Sequence, residues 1–201
     1  EAQPPTDNTQ EDRLLHLLAE LGKLRPTDDA ILAEQQTILV RKNDLVKARA
    51  IAAQRLELAE KQSAEPATIT ERQLALAQLD IELGDFATAE SSLEQMLART
   101  PKSTEAIKTL VALHTRTGNH AGLVAALTKM SSQQTDLESA VAALRQAAQV
   151  TLTAQDDVTM AKKLLSDALL RVDAAPTVTP TQKELVRRAL GQILIPLFEL
   201  A

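Results

Sequence analysis

The sequence has three histidines, His16, His114 and His120, and histidine is the residue type most often used for proton transfer and metal binding near neutral pH. His114 and His120 stand six residues apart across a predicted turn, and no Asp or Glu lies at a helical spacing that would complete a metal site with them. We therefore predict a surface or turn position for both and no bound metal. His16 stands among leucines, which predicts a half-buried position on a helix.

Two pairs of adjacent aspartates, Asp28-Asp29 and Asp156-Asp157, are the other groups that could do acid–base chemistry. Both pairs fall at predicted helix starts, where a negative charge complements the exposed backbone amides and the helix dipole. Cysteine is absent, which excludes thiolate nucleophiles and Cys-ligated zinc. The sequence also lacks a nucleophile elbow, a Walker loop and a dinucleotide glycine motif. We predict that the chain is not an enzyme and needs no cofactor, with a small enzyme using His114 or His120 as a remote alternative.

The composition is that of a folded helical protein. Hydrophobic residues make up 44% and charged residues 24% of the 201 residues, and Phe86 and Phe198 are the only aromatic ones, so Leu, Ala, Ile, Val and Met must build the core. The net charge of −5, without a basic stripe or rings for base stacking, argues against nucleic-acid binding. The longest apolar run, 193–200, is interrupted by Pro196 and Glu199, which argues against membrane insertion of this segment.

Apolar residues recur at spacings of three and four, and the breaks between these stretches carry Gly, Pro, Asn, Asp or Thr. Thr27 or Asp28 is a predicted N-cap, as is Ser103, and Thr70 with Gln73 has the spacing of a capping box. The longest predicted loops are 62–69 and 174–180. This pattern predicts ten helices, at 10–24, 28–41, 44–60, 70–83, 86–99, 103–117, 120–131, 136–153, 157–172 and 181–195.

The sequence repeats itself weakly with a period of 34 residues. Such a period indicates stacked helix-turn-helix units, because one unit cannot bury its apolar stripe alone. The pairs that keep this spacing are Gly84 and Gly118, Leu76 and Leu110, Leu93 and Leu127, and Met96 and Met130.

The segment 70–103 resembles a tetratricopeptide repeat (TPR). The family pattern has a large then a small apolar residue in helix A, Gly-Asp and an aromatic residue at the turn, a small residue in helix B, and a closing proline. In this sequence those places hold Leu76, Ala77, Gly84, Asp85, Phe86, Ala89 and Pro101. The resemblance implies that Ala77 and Ala89 lie where the two helices cross, since a methyl group allows close approach of the backbones.

Three further segments resemble the same repeat more weakly. The segment 104–137 keeps Gly118, and 29–62 fits if Asn43-Asp44 replaces Gly-Asp, with about seven inserted residues in the 62–69 loop. Asp156-Asp157 marks a fourth unit. The resemblance implies an all-α solenoid of antiparallel helix pairs, whose helix A side chains line a concave face that binds a peptide or partner helix. We predict as partner-binding residues Glu71, Leu74, Gln78, Ile81, Glu105, Lys108 and Thr115; the alternative is a merely solvated face.

The apolar residues around Pro196 predict one of two contacts. They fold back to cap the last helix pair, which we favour, or they form an interface with another subunit or with further sequence through Ile195, Leu197 and Phe198. The predicted organisation is a disordered leader at 1–10, TPR-like repeats at 11–173, a loop at 174–180 and a capping helix at 181–201.

These observations predict a non-enzymatic protein–protein interaction scaffold or adaptor, part of a bacterial envelope assembly. The alternative is a structural spacer or self-assembly segment of a larger polypeptide. The sequence starts without methionine, and its first residues are acidic and include Pro and Gln. Such a start is compatible with a removed signal peptide or a membrane anchor. We therefore favour the periplasm or a membrane-tethered soluble domain over the cytoplasm.

Overall fold

A computed structural model describes residues 7–134, 136–174 and 179–199, with the side chains of 7–9, 182, 185, 186, 189, 194 and 196–199 left out. Within these ranges the chain has ten helices and no strand, which confirms the predicted all-α helical-repeat class. The helices are α1 (Asp7–Leu24), α2 (Asp29–Arg41), α3 (Leu45–Lys61), α4 (Pro66–Leu83), α5 (Phe86–Arg99), α6 (Thr104–Thr117), α7 (His120–Gln133), α8 (Leu137–Ala154), α9 (Val158–Ala174) and α10 (Pro180–Glu199).

Helix α4 begins four residues earlier than the sequence predicted. Pro66 occupies the first helical position, where its fixed φ suits the helix and its missing amide costs nothing. Thr70 therefore lies inside the helix, and its Oγ1 donates a hydrogen bond to the carbonyl oxygen of Pro66 at 2.8 Å. The predicted capping box of Thr70 and Gln73 is wrong.

The two ends of the chain also differ in part from the prediction. Helix α1 begins at Asp7, so four residues of the predicted leader are helical, whereas residues 1–6 lie outside the described part. Helix α10 continues through Pro196 to Glu199. In the predicted loop at 174–180, Ala174 ends α9 and Pro180 begins α10, and residues 175–178 lie outside the described ranges.

The seven extra residues between the turns at Asn43 and Gly84 lie in helices, which corrects the predicted loop insertion. Helices α3 and α4 have 17 and 18 residues, three and four more than the 14 residues each of α5 and α6. The segments joining each pair, 62–65 and 100–103, are equally long. Longer helices add about two turns of backbone without changing the connection between them.

Four turns between paired helices share one geometry. At each turn a residue in the left-handed region is followed by an Asp or Asn whose side chain accepts from the amide three residues later. The left-handed residues are Asn43 (φ 58°), Gly84 (φ 83°), Gly118 (φ 69°) and Asp156 (φ 53°), and the caps are Asp44, Asp85, Asn119 and Asp157. These are the four turns at which the sequence aligned the repeats.

The chain divides into two compact units, Glu1–Met96 and Leu97–Ala201. In unit 1, α1 packs on α2, α2 on α3 and α3 on α4. Part of its core is formed by Leu39, Ala48, Ala52 and Leu79. The two alanines of α3 are buried, which allows neighbouring helices to approach closely.

In unit 2, helices α6 to α10 pack in chain order, each on the next. Its core includes Leu127, Leu144 and Leu165, and Leu190 of α10 is buried against the same cluster. The guanidinium of Arg171 in α9 donates to the carbonyl oxygen of Ser131 in α7. This contact occupies a carbonyl in the last turn of α7, where helices lack internal donors.

Candidate functional site

Unit 1 contains a polar cluster that ties three helices together. The carboxylate of Asp29 in α2 accepts from Arg55 of α3, with Nε to Oδ1 at 2.9 Å, and from both terminal nitrogens of Arg72 in α4, each at 2.7 Å. Arg55 also donates to Oε1 of Gln36 at 2.7 Å. The hydrogen bond from Arg55, followed by that from Arg72, lowers the pKa of the Asp29 carboxyl below its usual value.

A second ion pair joins α3 to α4. Nε of Arg49 donates to Oδ1 of Asp80, whose side chain is fully buried, whereas the Arg49 side chain is 36% exposed. Among the described residues no hydrogen-bond partner reaches Oδ2 of Asp80. The charge of the Asp80 carboxylate is therefore compensated by one guanidinium, that of Arg49. Together, the Asp29 cluster and the Arg49–Asp80 pair hold α4 against α2 and α3.

The predicted binding residues of α4 divide between surface and core. Glu71 and Gln78 are exposed and Leu74 is partly buried. Ile81 is only 8% exposed, so its predicted role as a surface contact is wrong. The apolar side chain of Ile81 belongs to the interior, and the stripe of α4 consists of the exposed Glu71 and Gln78 with the partly buried Leu74.

Helix α6 of unit 2 presents a longer stripe. Glu105, Lys108, Ala112 and Thr115 are all exposed and lie on one side of the helix by their spacing of three and four residues. The opposite side is buried through Ala106, Ile107, Leu110 and Leu113. This stripe is about 15 Å long at 1.5 Å per residue.

Helix α2 has a stripe that the sequence prediction missed. Ala30, Thr37 and Val40 are exposed, the last at 44%, and Ala33 is partly buried. These positions lie 41 residues before those predicted on α4, the same offset that separates Asn43 from Gly84. Applying that offset to the predicted residues would have found them.

The residues that define the repeat pattern differ in burial. Ala77 and Ala89 are fully buried, and Leu76 packs against the core cluster of unit 1. Phe86 begins α5 and is partly buried, and Pro101 is exposed in the segment between α5 and α6.

The histidines correct two sequence predictions. His114 is buried at 5% exposure in α6, not at the surface, and His16 is exposed, not half-buried. A Cβ on Gly122 of α7 would come within 2.7 Å of two His114 ring atoms, so the missing side chain makes room for the imidazole. His120 is exposed at the start of α7. In the described ranges, no three His, Asp or Glu side chains are grouped as metal ligands would be.

Unit 2 also has an open groove of about 450 Å³ between α7 and α9. Its apolar lining is formed by Ala121, Val124 and Ala125 of α7 and by Met160 and Leu164 of α9. Charged groups on its border are Asp157, Lys163 and Asp167. The volume is within the range of about 300–1,000 Å³ typical of binding clefts.

The predicted interface at the end of the chain is described only at Ile195, which is 62% exposed. The side chains of Leu197 and Phe198 lie outside the described residues. Across the part of the chain that is described, every helix is too short or too polar to cross a bilayer.

No protein-family model matches the sequence, and neither does any curated protein. Two solved structures have a similar fold. "MamA RS-1 ArsTM double mutant" is 13% identical with a TM-score of 0.54, over 85% of this chain and 90% of that chain. The crystal structure of BtubC (BKLC) from P. vanneervenii is 14% identical with a TM-score of 0.52, over 95% of this chain and 86% of that chain. At these identities the likeness shows the fold alone, and the chain is an all-α protein of stacked helical repeats.

Proposed function

We propose that the chain is a non-enzymatic scaffold of TPR-like repeats whose exposed helix A faces bind segments of other proteins. The observation that carries this proposal is the stripe on α6, where Glu105, Lys108, Ala112 and Thr115 are exposed together on one side. An acid, a base, a methyl group and a hydroxyl within about 15 Å offer contacts to both polar and apolar side chains.

The size of the stripe limits what it can bind. An extended peptide rises about 3.3 Å per residue, so about five residues would cover the α6 stripe. Two further stripes in unit 1, on α2 and α4, have a similar mixture of small, polar and apolar residues. Such surfaces suit a peptide or an amphipathic helix better than a small polar ligand, which needs an enclosed pocket.

Site-specific photo-crosslinking in the source cells tests the proposal. A benzophenone amino acid replaces Gln78 or Lys108, and the control position is Gln95, which is exposed on α5. We expect adducts with another protein from the first two positions and none from the control. Equal adducts at all three positions, or none at Gln78 and Lys108, would contradict the proposal.

Once a partner is identified by mass spectrometry, charge reversal tests the α6 stripe directly. Lys108→Glu should weaken binding by about tenfold if the lysine contacts the partner. Lys102→Glu is the matched control, because Lys102 is also exposed but lies before α6. Equal affinities of the two variants would remove Lys108 from the binding surface.

The assignment to the TPR family and to a bacterial envelope assembly is the finer part of this proposal. The turn geometry at Asn43, Gly84, Gly118 and Asp156, together with the repeat pattern around Gly84, supports the TPR assignment only. Fractionation of source cells with an antibody against this chain tests the compartment. Recovery in the cytoplasm alone would exclude the envelope.

A further inference from the structure

The stripes of α2 and α4 carry two glutamates that form no ion pair within the described part of the chain. Glu71 begins the stripe of α4. Glu34 lies four residues after Ala30 and three before Thr37, which places it on the same side of α2 as both. The side chains of both glutamates are exposed, so each carboxylate is available to a charge from outside the chain.

The positively charged side chains of unit 1 are largely engaged. Residues 1–96 contain 18 Asp and Glu against 10 Lys and Arg, a net charge of −8. Nine of these ten cations form ion pairs within the unit. The excess negative charge of unit 1 therefore lies on carboxylates that its own Lys and Arg do not neutralise.

The charges beside the two stripes leave this excess in place. Arg41, at the end of α2, pairs with Glu11 of α1 at 3.3 Å, so the pair adds no net charge. Glu82 adds another exposed carboxylate in the last turn of α4. The Asp29 cluster has two guanidiniums for one carboxylate, but their side chains are only 20% and 15% exposed and donate to that carboxylate. A ligand that approaches α2 and α4 therefore meets a negative potential.

The Asp29 cluster also brings the starts of α2 and α4 together. Arg72 of α4 donates to the carboxylate of Asp29 in α2 from both terminal nitrogens, each at 2.7 Å. Glu71 directly precedes Arg72, and Glu34 lies about 7.5 Å along α2 from Asp29 at 1.5 Å per residue. One bound segment can therefore reach both glutamates.

We propose that the segment bound by α2 and α4 is basic, a stretch of another protein in which Lys or Arg residues alternate with small or apolar ones. Its cations pair with Glu34 and Glu71, and its apolar side chains contact Val40, which is 44% exposed, and the partly buried Leu74. This inference rests on the proposed scaffold function, because it names the chemistry of the partner for two of its stripes.

The sequence of the crosslinked segment tests this proposal. Adducts of the benzophenone amino acid at Gln78 are cut with a protease that spares Lys and Arg, and the attached partner peptide is identified by mass spectrometry. Its residues within about five positions of the attachment, enough to cover a stripe of about 15 Å, should have a net positive charge.

The outcomes separate this inference from the scaffold function. Neutral or acidic segments at Gln78, or adducts from Lys108 but none from Gln78, would overturn the basic-segment proposal and leave the scaffold function intact. Absence of adducts at both positions would contradict the scaffold function itself, and this inference with it.

Neutralising the two glutamates tests their role directly. Glu34→Gln with Glu71→Gln keeps the size of two exposed side chains, so folding should be preserved and is checked by circular dichroism. Fluorescence anisotropy with a synthetic peptide of the crosslinked segment should show binding about tenfold weaker than to the wild type. Glu60→Gln with Glu94→Gln is the matched control, because it changes the net charge equally at exposed positions of α3 and α5.

The control variant should bind the peptide like the wild type. Equal affinities of the two double variants would overturn the proposal, because the peptide would then respond to overall charge and not to the two stripes. Raising the NaCl concentration from about 50 to 500 mM should weaken binding to the wild type, since salt screens exposed ion pairs. An affinity that does not depend on salt would also overturn the proposal.

Discussion

Replacing Arg49 by methionine should destabilise unit 1 strongly, although Arg49 is partly exposed. Among the residues that the structure describes, the Arg49 guanidinium is the one hydrogen-bonding partner of the Asp80 carboxylate, whose side chain has no exposure to solvent. Methionine fills a similar volume but offers no donor. The variant therefore leaves a buried carboxylate without compensation, while the apolar packing of the arginine stem is largely retained.

The expected loss follows from the unequal burial of the two partners. Breaking a buried ion pair costs about 3–5 kcal/mol, and the 36% exposure of Arg49 places this pair at the lower end, about 3 kcal/mol. For a protein of this size that corresponds to a fall in Tm of about 6–12 °C. Asp80→Ala should cost only about 1 kcal/mol, because the unpaired guanidinium can turn toward water.

A double-mutant cycle measures the coupling between the two residues. Urea denaturation followed by circular dichroism gives the free energy of unfolding for the wild type, Arg49→Met, Asp80→Ala and the double variant. In the Asp80→Ala background, Arg49→Met should cost about 2 kcal/mol less than in the wild type. Arg188→Met is the control, because the Arg188–Glu184 pair is 73% and 51% exposed and should contribute less than about 0.5 kcal/mol.

Two results would refute this reasoning. If Arg49→Met unfolds at the same urea concentration as Arg188→Met, the Asp80 carboxylate does not need the guanidinium. Alternatively, an equal cost of Arg49→Met in both backgrounds would show that the arginine acts through its packing alone.

Three other changes test the turns, a close contact and the polar cluster. Gly84→Ala should cost about 1 kcal/mol in thermal unfolding because φ at this residue is 83°; the added Cβ would contact nothing within 4 Å, so the cost is backbone strain alone. Asn43→Gly should be neutral or stabilising, because it relieves the same strain. Equal effects of the two variants would contradict the strain argument. Gly122→Ala should cost about 1–3 kcal/mol because its Cβ would lie 2.6 Å from Cε1 of His114, and adding His114→Ala should recover part of that loss; no recovery would exclude the imidazole as the cause. Asp29→Asn should cost about 1 kcal/mol at pH 7, a value reduced for solvent screening because the carboxylate is 44% exposed. The pKa of Asp29 is lowered in the folded state, so its contribution to stability is present above the ordinary pKa of about 3.9 and is lost as the pH falls through the folded value. In urea titrations, the difference in unfolding free energy between wild type and Asp29→Asn should therefore vanish at acid pH. A difference that persisted there would contradict the role of the Asp29 charge.

The sequence determined the helices, the turns and the class of fold, because these depend on neighbours along the chain. A residue in the left-handed conformation followed by an Asp or Asn cap can be recognised locally, and Gly84-Asp85 and Asn43-Asp44 both have the predicted geometry. Ser103 was predicted as a cap for the same reason and is present, and of the two candidates Thr27 and Asp28 the structure has Asp28 as the cap. The resemblance implied that Ala77 and Ala89 lie where two helices cross, and both are fully buried.

Tertiary structure alone decided which side of each helix is covered and which charges meet. Ile81 and His114 are buried because neighbouring helices cover them, a fact that spacing along one helix does not contain. Two ion pairs, Asp29–Arg72 and Arg49–Asp80, join residues 43 and 31 positions apart, so no local sequence pattern predicts them. Helix starts, helix ends and turns depend on a few adjacent residues, whereas burial and long-range ion pairs depend on how whole helices pack.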